Sequence, residues 1–172
     1  MRKSGVLMHV SSLYGDYSVG SFGKEAKEFI DFLAESGFSY WQVLPFCMTD
    51  ECNSPYKSLA SFGANPMFID LPTLYARGLL TSAELASAKQ KSPYLCEYDR
   101  LSEERLPLLR KAAARVSDFE KRSIAAFLGK YPYLAKAAEF LALREANGGT
   151  LWSEWKIDKA EDSELFFWQF VQ

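Results

Sequence analysis

The sequence predicts an α/β fold: a βαβ unit over residues 1–46, followed by a mostly helical region over residues 47–172. Three observations carry that expectation. Two short apolar runs rich in β-branched and aromatic residues flank an amphipathic stretch near the amino end. After Phe46 this alternation stops, and the later apolar residues recur at helical spacing. With 48% hydrophobic and 24% charged residues, the chain can close a globular core.

The first run, Gly5 to Val10, reads as a strand buried on both faces, bounded by Ser11 and Ser12. A loop rich in Ser, Gly and Tyr follows to Phe22. Ala26, Phe29, Ile30 and Leu33 then lie at i, i+3, i+4 and i+7, opposite Lys24, Lys27, Asp31 and Glu35. That is an amphipathic helix, and Gly37 supplies a left-handed stop. Tyr40 to Phe46 reads as the second strand, ended by Pro45. A right-handed crossover makes the two strands parallel, so the loops leaving both emerge at the carboxyl end, where α/β folds bind ligands.

Residues 47–72 read as a loop with turn signals at Asn53-Ser-Pro-Tyr56 and Ala64-Asn-Pro66. Helices are expected at 82–90, 103–116, 118–129, 133–146 and 161–171, with capping boxes at Thr81/Glu84 and Ser117/Glu120. Pro107 is expected to kink the second of these or delay its start. Two parallel strands and one covering helix leave edges unpaired, and the sequence stops on the aromatic run Leu165 to Gln172. Both features lead us to expect a piece of a larger fold, with its last helix packing on what would follow.

The net charge of −2 provides no basic field for nucleic acid or anionic lipid. Cys47, Cys52 and Cys96 form neither an even framework nor a CxxC pair, which reads as reduced thiols in the cytoplasm. The single histidine, His9, adds no metal-ligand spacing, so no metal is expected. The apolar stretch from Gly5 to Val10 is too short for a signal peptide or a membrane span.

An ordered series of segments is more specific. Ser4-Gly-Val-Leu-Met-His9, Ser11-Ser-Leu13 and Gly20-Ser-Phe-Gly23 are followed by Phe29-Ile-Asp-Phe-Leu-Ala34 and Trp41-Gln-Val-Leu-Pro45. Asn53-Ser-Pro-Tyr56, Ser58, Phe62, Asn65-Pro66, Gly78-Leu-Leu80 and Glu103-Glu-Arg105 with Leu109-Arg-Lys111 continue it. The series resembles the amino-terminal part of the amylomaltases, 4-α-glucanotransferases of glycoside hydrolase family 77. The resemblance implies an incomplete TIM (β/α)8 barrel with a helical insertion. It also implies retaining transfer of α-1,4-glucan segments to the 4-OH of an acceptor sugar, without a cofactor. The nucleophile and acid/base are expected beyond residue 172, so no catalytic residue is assigned here and the chain alone is expected to be inactive. The substrate-binding residues it implies are Ser54, Tyr56 and Asn65, with α-1,4-glucans as the partner. A tyrosine ring suits the flat C–H patch of a pyranose.

The sequence departs from the family pattern at Tyr14, where a proline is usual, at Ser18, and at Cys47-Met-Thr-Asp50. Glu51 stands where some members carry a tyrosine of a remote glucan site, which puts that site in doubt. The alternative is a non-catalytic glucan- or partner-binding fragment, or less plausibly an unrelated helical protein. His9 and Trp41 are expected to be core residues, and the Trp152, Trp155 and Trp168 group to pack rather than stack on sugars.

Overall fold

The computed structural model describes residues 2–50 and 52–172. They form two compact units, Met1–Pro45 with Met67–Ala112 and Phe46–Pro66 with Ala113–Gln172. Among the described residues, no helix is long and apolar enough to cross a membrane.

The first unit holds the parallel pair β1 (Gly5–Leu7) and β2 (Tyr40–Gln42), in the register Gly5↔Tyr40, Val6↔Trp41 and Leu7↔Gln42. Helix α1 (Lys24–Glu35) connects them, and Gly37 adopts φ +76° just after it, as expected of its helix-terminating role. Trp41 packs edge-on against Phe29 of α1 at 5.1 Å, and its indole N–H donates to the Met8 carbonyl at 2.7 Å. Both strands are shorter than the apolar runs suggest. Val10–Ser12 turns into a 3-10 helix that buries Val10. The expectation that β1 is buried on both faces is not met, because Leu7 is 58% exposed. Val6 and Trp41 are half-buried while their neighbours along each strand are exposed, so alternate side chains face opposite ways and α1 covers one face.

Helix α2 (Leu71–Ala76) starts in the last two residues of the expected loop and runs on where no helix is expected. Asp70 caps it by accepting from the Thr73 N–H at 2.9 Å, and Pro72 lies in the first turn, where no intrahelical donor is needed. Six residues are too few to display a helical period, so only the cap and the proline marked it. Helix α3 (Ser82–Ser87) opens on the expected Thr81/Glu84 capping box.

Helix α4 (Tyr98–Ala114) starts earlier than expected and runs through Pro107. An interior proline costs about 3 kcal/mol through its missing N–H and ring clash. Against that stand Leu101, Leu108 and Leu109, all buried on this helix. Each buried leucine contributes about 1.5–3 kcal/mol, enough to offset the proline. Arg105 of the same helix is buried, and its guanidinium donates to the Ile69 carbonyl at 3.2 Å and to the Tyr17 carbonyl. Burial pushes its pKa down to about 10, so it remains a cation at neutral pH.

The second unit is built on α5 (Asp118–Lys130), α6 (Pro132–Ala146) and α7 (Asp162–Val171). Ser117 and Glu120 form the expected capping box of α5, and Pro132 opens α6. Ala138, Leu141 and Ala142 of α6 are buried, as are Phe167, Trp168 and Val171 of α7. The Trp168 indole N–H donates to the Glu145 carboxylate at 2.9 Å, which satisfies the polar edge of a buried ring. Trp155 packs against Phe140 with tilted rings at 5.4 Å, while Trp152 is exposed. Phe167 and Trp168 of α7 are thus packing residues, whereas Trp152, expected to pack, is not buried.

Candidate functional site

The three residues expected to bind substrate all lie in the Phe46–Pro66 segment of the second unit. This segment folds back on itself. Thr49 and Ser58 form an antiparallel bridge, extended by Asp50 N–H to the Lys57 carbonyl at 3.3 Å and Leu59 N–H to the Met48 carbonyl at 3.0 Å. Lys57 Nζ lies 2.6 Å from the Asp50 carboxylate across this bridge. That contact, together with the Cys52 N–H donated to the same carboxylate at 3.1 Å, holds Asp50 below the usual carboxylate range.

The tip of the loop is Asn53 to Tyr56. Asn53 takes φ +53°, a left-handed conformation that asparagine tolerates better than most residues. The Lys57 N–H closes the turn on the Ser54 carbonyl at 3.1 Å, and the Ser54 hydroxyl accepts from the Tyr56 N–H at 3.4 Å. Ser54 and Tyr56 are therefore brought together by the local turn. Tyr56 is 75% exposed, so its ring is presented to solvent and not sealed under its own loop.

Asn65 sits at the root of the loop and is buried. Its backbone N–H donates to the Phe46 carbonyl at 2.8 Å, so the two ends of the segment are joined there. The neighbouring Ala64 is held by Gln172, whose side-chain oxygen accepts from the Ala64 N–H at 2.8 Å and whose NH2 donates to the Ala64 carbonyl at 3.4 Å. Gly63 lies against Ala137 of α6, so closely that a Cβ there would approach the alanine methyl to 3.3 Å. The loop is braced at its neck by charge and at its root by main-chain bonds. Sequence reasoning missed the Asp50–Lys57 pair; opposite charges flanking the Asn-Ser-Pro-Tyr turn were the available signal. Glu51 lies outside the described residues.

His9, in the first unit, is buried with its ring edge-on to Phe68 at 5.3 Å, and desolvation lowers its pKa. This is the environment of the core histidine that the sequence favours over a catalytic one.

A profile of the family described as 4-alpha-glucanotransferase matches residues 8–170. The 4-alpha-glucanotransferase of Streptococcus pneumoniae serotype 4 is 40% identical over 161 residues, covering 90% of this chain and 31% of that protein. The Thermus thermophilus enzyme of the same name is 36% identical over 171 residues, covering 95% of this chain and 33% of that protein. Among solved structures, the amylomaltase from Streptococcus agalactiae in complex with acarbose aligns with a TM-score of 0.89 at 30% identity, over 100% of this chain and 38% of its own. The amylomaltase from Corynebacterium glutamicum, at 16% identity and a TM-score of 0.71, shares the fold. This chain spans about a third of the length of these curated relatives. Its ordered motifs, its profile match and its backbone agree: the chain belongs to the 4-alpha-glucanotransferase family.

Proposed function

We propose that this chain supplies the substrate-loop part of a 4-α-glucanotransferase, which moves α-1,4-glucan segments to the 4-OH of an acceptor sugar with retention of configuration. In this reading, residues 1–46 are the first β/α unit of a (β/α)8 barrel, and residues 47–172 are the substrate loop and a helical insertion. The half-buried Leu165, Phe166 and Phe170 of α7 are left to pack on the rest of the barrel. The three free thiols suit a cytoplasmic setting.

Retaining transfer needs two carboxyl groups about 5–5.5 Å apart, one as nucleophile and the other first as acid and then as base. No residue of this chain is assigned to either role. Its part is to hold the glucan. The Tyr56 ring lies against the C–H face of a glucose unit, with Ser54 supplying a polar contact from the same turn, while Asn65, buried at the root, acts by holding the loop's ends together. Binding energy gathered away from the reacting bond holds the anomeric carbon where the carboxylates must meet it.

The observation that carries this reading is the exposed Tyr56 ring on a loop braced at neck and root, in a chain of this family. Titrating maltooligosaccharides into the chain by calorimetry tests it. Saturable binding is expected, and Tyr56→Ala should weaken it by roughly 1–3 kcal/mol, the range for truncating one aromatic anchor. Absence of binding at millimolar sugar would overturn it. Incubation of the 172-residue chain with maltotriose should release no glucose and build no longer oligomers. Turnover would mean that the catalytic groups lie within these residues.

A further inference from the structure

The segment that carries Tyr56 is a two-stranded ribbon within the second unit. Its root is the bond from Asn65 N–H to the Phe46 carbonyl at 2.8 Å. Above the root, the Cys47 thiol donates to the Ser61 carbonyl at 3.0 Å, and Leu59 N–H donates to the Met48 carbonyl at 3.0 Å. Asp50 N–H to the Lys57 carbonyl at 3.3 Å completes the ladder below the turn. A two-stranded ribbon by itself is marginally stable in water, so its placement depends on what holds it from outside. Along most of its length it offers little to hold: Cys52, Asn53, Tyr56, Lys57, Ser61 and Phe62 are exposed. Burial begins at Gly63 and continues at Asn65 and Pro66.

That is where the ribbon meets α6 and α7. A Cβ on Gly63 would lie 3.2 Å from the Gln172 amide oxygen and 3.3 Å from the Ala137 methyl, so a glycine lets the backbone come this close. Beside it, Gln172 treats Ala64 as a neighbouring strand would. Its side-chain oxygen accepts from the Ala64 N–H at 2.8 Å, and its NH2 donates to the Ala64 carbonyl at 3.4 Å. The base of this contact is firm, because Phe167, Trp168 and Val171 of α7 are buried. An amide is the group that can do this. A carboxylate of the same size keeps the acceptor, loses the donor and sets a negative charge beside the Ala64 carbonyl oxygen. An apolar side chain removes both bonds. Ala64 precedes Asn65, whose N–H joins the two strands at the root, so a shift at Ala64 is passed to both of them.

We propose that Gln172 is a positioning residue: its amide fixes the root of the ribbon to α7 and thereby sets the order and placement of the turn that carries Tyr56. The mechanical link stands on these contacts alone. Its effect on sugar binding rests on the function proposed above.

The test compares the 15N-labelled chain with Gln172→Met, which keeps side-chain length and helix propensity but removes both bonds to Ala64, by two-dimensional NMR. The Ala64 amide should exchange with solvent about tenfold faster, the size of effect expected for one lost hydrogen bond. Relaxation measurements should show the backbone amides of Ser54, Tyr56 and Lys57 more mobile on the picosecond-to-nanosecond timescale. The amides of Leu141 and Ala142, buried in α6, should keep the parent's protection. Maltotriose affinity should fall about three- to tenfold. Gly63→Val crowds the same contact from the ribbon side and leaves α7 unaltered, so it should loosen the same turn; should Gln172→Met unfold α6, this variant alone decides. A turn as ordered in the variants as in the parent would overturn the proposal. Loss of protection throughout α6 in both variants would overturn it too, because Gln172 would then be a general packing residue. Unchanged maltotriose affinity in variants of a parent that binds the sugar would also overturn it. A loosened turn together with a parent that binds no maltotriose would uphold the positioning role and remove Tyr56 as a sugar contact.

Discussion

The two units build their buried cores in different ways. In the second, α5, α6 and α7 close a core on themselves, and Ala138 and Ala142 are fully buried between helices that carry Leu141, Phe167 and Trp168 inward. In the first, α2 to α4 bury Leu71 and Leu109, yet the βαβ part leaves Leu7, Ile30, Phe32 and Tyr40 each more than half exposed. Three helices can each turn one stripe toward a common axis. A pair of parallel strands has two faces and two edges, and one helix covers only one face. The lesson is that the strand pair has cover on one face only, while the helices of the second unit bury a shared core and still leave Phe62, Phe119, Leu151 and Trp152 exposed.

Substitutions can break or sharpen that contrast. The largest effect should come from Trp168→Ala, which removes a buried ring and the indole hydrogen bond to Glu145. A loss of about 3–5 kcal/mol is expected in urea unfolding followed by far-UV dichroism. A cost below 1 kcal/mol would mean that the second unit does not hold its own core. Arg105→Met should come next. It removes the donors to the Ile69 and Tyr17 carbonyls but also relieves a buried charge, so a net loss of about 1–3 kcal/mol is expected in the same assay. A neutral or stabilising result would show that desolvation of the guanidinium outweighs its bonds.

His9 predicts a pH dependence in the first unit. Burial holds its folded pKa below the ordinary value of about 6.5. The unfolded chain therefore binds the extra proton first as pH falls. The histidine contributes no pH dependence well above 6.5, and stability declines as pH drops through and below that value. Thermal unfolding between pH 7.5 and 5 should show a declining Tm, and His9→Gln should flatten that decline relative to the parent. The smallest effect belongs to the open sheet. Leu7→Thr, at an exposed strand position of good β propensity, should change stability by less than about 0.5 kcal/mol. A cost of 2 kcal/mol or more, in the range for a core leucine, would mean that this face is covered in solution.

Much of this architecture was legible before any coordinates. The 3.6-residue spacing of Ala26, Phe29, Ile30 and Leu33 placed α1, and the boxes at Thr81/Glu84 and Ser117/Glu120 placed the starts of α3 and α5. These are local signals, in which the partner of each group lies within one or two turns. The helix α2 was not legible, because six residues show no period. The passage of α4 through Pro107 was not legible either, because the leucines that outweigh the proline do so through burial against distant segments.

The candidate sites divide along the same line. The Asn53-Ser-Pro-Tyr56 motif marked the turn of the candidate loop from sequence alone, since a turn is specified by its own four residues. What only the tertiary structure decided is how that loop is held, through Asp50 with Lys57 and Ala64 with Gln172, and that its tyrosine is left open to solvent. It also decided that Gly15 and Gln90 meet although 75 positions apart in the chain. Local pattern determines where the backbone turns and which face of a helix is apolar. Burial, and the pairing of polar groups far apart in the chain, are properties of the packed molecule, and they are what make a surface into a site.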